Sequence, residues 1–234
     1  MQVLAVIHGS DGRPELFGDV VRERGHELEE WSLAWGRPLE RPLADYGAVL
    51  VFGGAMHADQ DDSHPWLVEE NFFLQRLLRL QIPVLGVCLG AQLLAKAAHA
   101  PVHPASEPEI GWVQVELTEA ADDDPLFRRL PQRFHSFQWH YYTYGVPAGA
   151  EVLAYSRVCT QAFRLGEAVW GIQFHPEVTG EQIEGWVADG ERELPIPRDV
   201  LAEETQAHIA EWNEIGRLLC GGFLEVAERV GAPV

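Results

Sequence analysis

Ile82-Pro83-Val84-Leu85-Gly86-Val87-Cys88-Leu89-Gly90-Ala91-Gln92-Leu93-Leu94-Ala95 reads as a short apolar strand, a sharp turn and an apolar helix. The turn has the spacing Gly-x-Cys-x-Gly, the thiol counterpart of the Gly-x-Ser-x-Gly nucleophile elbow. A strand that reverses directly into a helix needs strained backbone at its central residue and no side chains two residues to either side. Cys88 then stands at the top of a sheet, at the amino end of a helix beginning near Leu89, where unpaired N–H groups and the helix dipole favour thiolate. The same residues also describe a buried cysteine on a core strand with glycines for close packing. The stretch alone leaves both readings open.

The surrounding chain narrows the choice. At 234 residues and 47% hydrophobic content there is material for a full core in one large α/β domain or a domain with an appendage. A net charge of −19 argues against nucleic acid and anionic membrane as partners, since both require a basic footprint. Three cysteines, Cys88, Cys159 and Cys220, are an odd number without C-x-x-C spacing, which suggests neither a disulfide framework nor a zinc site. His57, Asp59, Asp61, Asp62 and His64 lie close together but repeat no ligand spacing and read as a solvated loop, so no metal is expected. The start, Met1 to His8, lacks the basic residues and length of a signal peptide, and no apolar run approaches membrane-spanning length. A reduced, cytoplasmic enzyme without a cofactor is the expectation.

Strands and helices alternate through the first hundred residues. Val3–Ile7 is a continuous apolar run of the kind buried on both faces of a sheet, ended by a loop at His8-Gly9-Ser10-Asp11-Gly12. A helix follows from about Glu15 to Arg24, closed by Gly25. Tyr46–Phe52 is a second apolar strand with Gly53-Gly54-Ala55-Met56 at its carboxyl end. Pro65 to Leu80 is a helix whose acids sit early and bases late, as the dipole prefers. Such alternation predicts a parallel sheet wrapped by helices. Downstream, Trp112–Thr118, Glu151–Ser156, Thr160–Leu165 and Ala168–Phe174 read as strands added antiparallel to one edge, around an aromatic- and histidine-rich stretch from Phe134 to Tyr144. From about Thr179 the chain becomes helical and polar, is interrupted by Pro195-Ile196-Pro197, and forms one or two amphipathic helices over Val200–Val230. The predicted fold is α/β of the flavodoxin-like, doubly wound type: a mostly parallel central sheet with antiparallel edge strands, plus C-terminal helices. Residues 1–180 form the main domain and 181–234 a helical extension packed on it.

Gly171-Ile172-Gln173-Phe174-His175-Pro176-Glu177 changes the weight given to Cys88. Pro176 pushes His175 towards extended backbone. Residues two apart in an extended segment share a face, so Glu177 can orient the His175 ring, as base and orienter do in a generalised triad. With Phe52-Gly53-Gly54, Gly86-Val87-Cys88-Leu89-Gly90-Ala91-Gln92 and Phe137-Gln138-Trp139-His140, these motifs follow the order of the class I (triad) glutamine amidotransferases. The chain resembles that family over residues 1 to about 180, and in particular its free-standing members similar to the glutaminase domain of GMP synthase.

The resemblance implies that Cys88 attacks the side-chain amide carbon of glutamine, that His175 moves the proton, and that Glu177 steadies the imidazolium. It implies an oxyanion hole made by the backbone N–H groups of Gly54 and Leu89. Gln92 holds the substrate, and backbone groups of the segment Gln138, Trp139, His140 grip the α-amino and α-carboxylate groups. His140 is equally readable as a structural histidine bonded within its loop. The implied partner is a separate ammonia-accepting synthase subunit, whose binding completes the oxyanion hole in many relatives by moving the pair matching Gly53-Gly54. Two departures stand out. Ala55-Met56-His57 replaces the usual proline and small residue, and Tyr141, Tyr142 and Thr143 follow His140 where many relatives place an acid. Nothing in the sequence resembles an ATP-pyrophosphatase or an ammonia acceptor. A γ-glutamyl amide or peptide hydrolase with the same triad, and a non-catalytic glutamine-sensing module, are the alternatives, with a peptidase or chaperone-like relative ranked last.

Overall fold

In the computed structural model, residues 1–10, 12–189 and 194–230 are described; Asp11 of the loop expected after the first strand and parts of the 181–234 extension lie outside them. Five parallel strands form one half of the sheet: β1 (Gln2–Val6), β2 (Glu27–Trp31), β3 (Tyr46–Val51), β4 (Val84–Val87) and β9 (Val169–Ile172). Four more, β5 (Val102–Leu117), β6 (Arg133–Tyr144), β7 (Ala150–Tyr155) and β8 (Thr160–Leu165), continue antiparallel from β9. The nine-stranded order is β2-β1-β3-β4-β9-β8-β7-β5-β6, so the parallel half has the flavodoxin-like arrangement.

The continuous apolar runs of β1 and β3 exist because both faces are covered. Val3, Ala5, Leu50 and Phe52 point into one core layer, with helices α1 (Glu15–Glu23) and α5 (Arg198–Val230), while Leu4, Val6, Val49 and Val51 point into the other, with α2 (Trp66–Leu80) and α3 (Leu89–Ala97). The remaining helix, α4, spans Gly180–Asp189. No helix among the described residues is long and apolar enough to cross a membrane.

Three elements differ from what the sequence suggested. β2, Glu27-Leu28-Glu29-Glu30-Trp31, is a strand despite three glutamates because it is the sheet's edge: Glu29 accepts a hydrogen bond from the Tyr46 hydroxyl and Glu30 one from Arg13. β5 begins ten residues before the alternating Trp112–Thr118 segment, with an irregularity between Pro104 and Glu109. β9, expected among the antiparallel edge strands, instead pairs parallel with β4 inside the sheet. The tail, left open between one helix and two, is one 33-residue helix, α5.

The acid-rich loop after β3 is held by an ion pair: Lys96 Nζ reaches both carboxylate oxygens of Asp61, at 2.9 and 2.8 Å, and the Ala58 carbonyl. His57 stacks on Tyr142 with ring centroids 4.0 Å apart.

Candidate active site

Cys88 sits between β4 and α3 with φ 52° and ψ −108°, a backbone that L side chains rarely adopt. Its surroundings explain the flanking glycines. A Cβ on Gly90 would lie 2.0 Å from the Val51 carbonyl oxygen, and one on Gly86 would lie 2.6 Å from that of Gly90. The turn is pinned across the sheet by the Cys88 N–H, which donates to the Ile172 carbonyl at 2.7 Å. Because β4 pairs with β9, this bond carries Cys88 to the chain that leads directly into His175.

The His175 main chain is fixed from both ends. Its N–H donates to the Phe137 carbonyl on β6 at 3.0 Å, and its carbonyl accepts from Trp212 Nε1 on α5 at 2.9 Å. Its ring Nδ1 lies 2.8 Å from Glu177 Oε1, with both residues almost wholly buried. Gly53, two residues past β3, packs beside both Cys88 and His175. A Cβ there would be 3.1 Å from His175 Cε1 and 3.8 Å from Cys88 Cβ. Burial by itself lowers the His175 pKa, but the charges of Glu177 and of the Cys88 sulfur raise it to about 10. The ring therefore holds its proton through neutral pH. Burial pushes the Cys159 thiol up to about 12 and that of Cys220 up as well, so neither offers a thiolate near neutrality.

This has a measurable consequence for stability. The native state binds the His175 proton more tightly than the unfolded chain does, whose ring titrates near 6.5. The resulting stabilisation is complete below about pH 6.5, declines as the pH rises, and is gone above about 10. Thermal midpoints should fall between pH 7 and 10, and Glu177→Gln should flatten that fall. An unchanged slope in the variant would contradict the assignment.

Cys88, His175 and Glu177 line one cleft of about 510 Å³ together with Gly53, Gly54, Leu89 and Gln92. Leu89 is the first residue of α3, where helix N–H groups have no intrahelical acceptor. Gly54 packs against it: a Cβ on Gly54 would be 3.0 Å from Leu89 Cδ2. Gln92 is buried, its Nε2 donating to the Tyr142 carbonyl at 2.9 Å and lying 3.4 Å from Gln173 Oε1. Gln173 Nε2 in turn approaches Cys88 Sγ at 3.7 Å. Trp139 and His140 also line the cleft, whereas the Gln138 side chain is buried away from it, donating to Ser136 Oγ and Gln161 Oε1. Gln138 and His140, two residues apart, share a face of β6, and Gln161 links Gln138 to the Glu109 that holds His140.

Both His140 nitrogens are engaged within the protein. Nδ1 lies 3.0 Å from the Tyr142 carbonyl and Nε2 lies 3.1 Å from Glu109 Oε2. Glu109 faces His140 in the β5–β6 register, so a buried acid stands beside this histidine although none follows it in sequence. Burial would raise the Glu109 pKa, but hydrogen bonds from His140 and Ser156 carry it below the ordinary carboxylate value. Only the strand register could have revealed Glu109. Gln173 was hidden for a different reason: it lies inside a motif whose histidine and glutamate draw the attention. Trp186, on α4, stands edge-on to the His175 ring with centroids 5.0 Å apart and lies 5.9 Å from the Trp139 ring, closing that side of the cleft.

Residues 19–190 match the family model "Glutamine amidotransferase class-I". The chain is 29% identical, over 91% of its length and 91% of the relative's, to the glutamine amidotransferase-like protein YfeJ of Salmonella typhimurium. It is 35% identical to one subunit of the glutamine-hydrolysing GMP synthase of Methanococcus aeolicus, over 44% of this chain and 54% of that one. A crystal structure of a glutamine amidotransferase from Thermotoga maritima superposes with a TM-score of 0.87 at 31% identity, covering 97% of this chain and 98% of that one. The chain belongs to the class-I glutamine amidotransferase family.

Proposed function

We propose that this protein hydrolyses the side-chain amide of glutamine through a Cys88–His175–Glu177 triad and hands the ammonia to a separate synthase subunit. The observation that carries the reading is the meeting of the strained Cys88 turn with a Glu177-bound imidazole around Gly53, on neighbouring strands of one sheet. The Cys88 sulfur attacks the amide carbon, and the carbonyl oxygen becomes an oxyanion accepted by the Gly54 and Leu89 N–H groups. The C–N bond breaks as His175, already protonated, gives its proton to the departing nitrogen. Ammonia leaves a γ-glutamyl thioester on Cys88. Water then attacks the thioester carbon while His175 takes its proton, releasing glutamate and the thiolate. Gln92, Trp139, His140 and the adjoining main chain serve substrate positioning, with Gln138 supporting them from behind. An ammonia-accepting partner is supported by the relative named as one subunit of GMP synthase.

The test is glutamate release from glutamine by the purified protein, alone and with an ATP-pyrophosphatase subunit of the GMP synthase type, together with labelling of Cys88 by a diazoketone analogue of glutamine. Release and labelling are expected. Failure of both removes the reading. The aromatic wall beside His175, formed by Trp186 and Trp139, favours a second reading in which the leaving group is a larger amine. A panel of γ-glutamyl amides separates the two, since any member preferred over glutamine by kcat/KM selects the hydrolase.

A further inference from the structure

Behind the Gly53-Gly54 segment lies a buried ionisable pair that the chemistry above does not use. His8, two residues past β1, places Nδ1 3.1 Å from the Gly53 carbonyl oxygen and Nε2 2.9 Å from Glu70 Oε1 on α2. The side chains of His8 and Glu70 are 1% and 0% exposed, and the His8 ring stacks on Trp66 at 5.8 Å between centroids. A carbonyl and a carboxylate are both acceptors, so both ring nitrogens must donate and the ring is cationic. In keeping with this, burial lowers the His8 pKa but Glu70 outweighs it, and the net shift is upward.

The peptide between Gly53 and Gly54 is planar and trans, as are all the described peptide bonds, so its C=O and N–H point in opposite directions. Holding the carbonyl at His8 therefore turns the Gly54 N–H away from His8. Gly53 and Gly54 line the cleft while His8 and Glu70 do not, so the edge of the peptide opposite His8 is the open one. The approach is crowded as well as bonded. A Cβ on Gly12 would lie 2.6 Å from the same Gly53 oxygen, and one on Gly54 would lie 2.7 Å from His8 Cβ. With glycine at both positions this peptide has unusual rotational freedom, and a buried charged donor is a strong means of removing it.

We infer that His8, anchored by Glu70, is a positioning residue that latches the Gly53–Gly54 peptide with its N–H aimed into the cleft, so that one oxyanion donor is set before any partner binds. The inference rests on Gly54 being an oxyanion donor in the proposed reaction. His8 touches no reacting atom; it acts through the peptide it holds.

Two substitutions separate this role from packing. His8→Gln can keep a polar bond to Glu70 while losing the donor at the Nδ1 position. His8→Asn places an amide nitrogen near Nδ1 and keeps the donor to Gly53. His8→Gln is expected to lower kcat by about 10- to 100-fold, somewhat less than complete loss of an oxyanion donor. Its KM for glutamine and its rate of Cys88 alkylation by iodoacetamide should stay within about twofold of wild type, because neither needs the oxyanion hole. His8→Asn should recover most of kcat. A kcat for His8→Gln within about twofold of wild type, or equal losses in the two variants, would overturn the latch. If wild type releases no glutamate, the parent reading fails by itself. The latch is then decided by the Gly54 amide resonance in ¹⁵N-labelled protein, which should move in His8→Gln and hold in His8→Asn; an unmoved resonance in His8→Gln overturns it.

Discussion

Cys88→Ala should abolish glutamate release, lowering kcat/KM by at least about 10⁴-fold, while the protein remains folded. No step of the thioester pathway can proceed without the sulfur, and neither of the other cysteines stands in the cleft. The fold should tolerate the loss because the contact of the sulfur with Gln173 Nε2, at 3.7 Å, is a weak one, and Glu177 still holds the His175 ring at 2.8 Å when the sulfur is gone. The backbone strain stays, since alanine at φ 52° carries the same Cβ as cysteine. Cys88→Gly, equally inactive, releases that strain, worth about 1 to 3 kcal/mol, against about 0.5 to 1 kcal/mol for the added chain entropy. It should therefore melt above Cys88→Ala. Urea unfolding of both variants, beside a glutamate assay, checks the pair of expectations. Residual turnover in Cys88→Ala comparable to wild type would place the nucleophile elsewhere.

Gly216→Ala should have the largest effect on stability for the smallest change in volume. Gly216 lies on α5 where that helix crosses the His175-Pro176-Glu177 segment, and a Cβ there would be 2.1 Å from the Pro176 carbonyl oxygen and 2.9 Å from Leu16 Cδ2. The first neighbour is main chain and cannot swing aside, so the helix must lift. Lifting also stretches contacts made from the same stretch of α5: Trp212 Nε1 on the His175 carbonyl at 2.9 Å and Asn213 Nδ2 on the Val178 carbonyl at 2.8 Å. The expected cost is about 3 kcal/mol or more, as for other severe core clashes, with kcat falling in parallel because His175 loses one of its two main-chain anchors. Gly185→Ala is the matched control. Gly185 lies on α4 with nothing within 4 Å of the position a Cβ would take, and the change should be neutral or stabilising by up to about 1 kcal/mol. Equal denaturation midpoints for the two variants would show that α5 does not bear on the histidine segment.

What could be read in the sequence follows from how local each signal is. The Cys88 turn, the two-faced strands of β1 and β3 and the polarity of α2 are written in neighbouring residues, so they were legible. The motif residues Cys88, His175, Glu177, Gly54, Leu89, Gln92, Trp139 and His140 line one cleft, and the Gln138 side chain lies inside the protein. β2 was obscure because an edge strand spends half its surface on solvent, and its glutamates find partners at Arg13 and Tyr46 that no local pattern encodes. Glu109 was obscure because only the register of β5 against β6 brings it to His140. The sequence left α5 open between one helix and two; Gly216, Gly221 and Gly222 within it serve close approach, to Pro176, to the Arg24 guanidinium and to the Pro125 carbonyl.

The pairing of β4 with β9 has a consequence for how the molecule is made. Gln173 and Cys88 meet although they are 85 residues apart, with the four antiparallel strands lying between them in sequence. Pairings of such sequence separation are entropically costly to close and tend to form late. During synthesis and refolding the thiol thus waits without its imidazole until β9 docks, and enzymatic competence should be among the final properties to arrive, well after far-ultraviolet ellipticity has reached its end value.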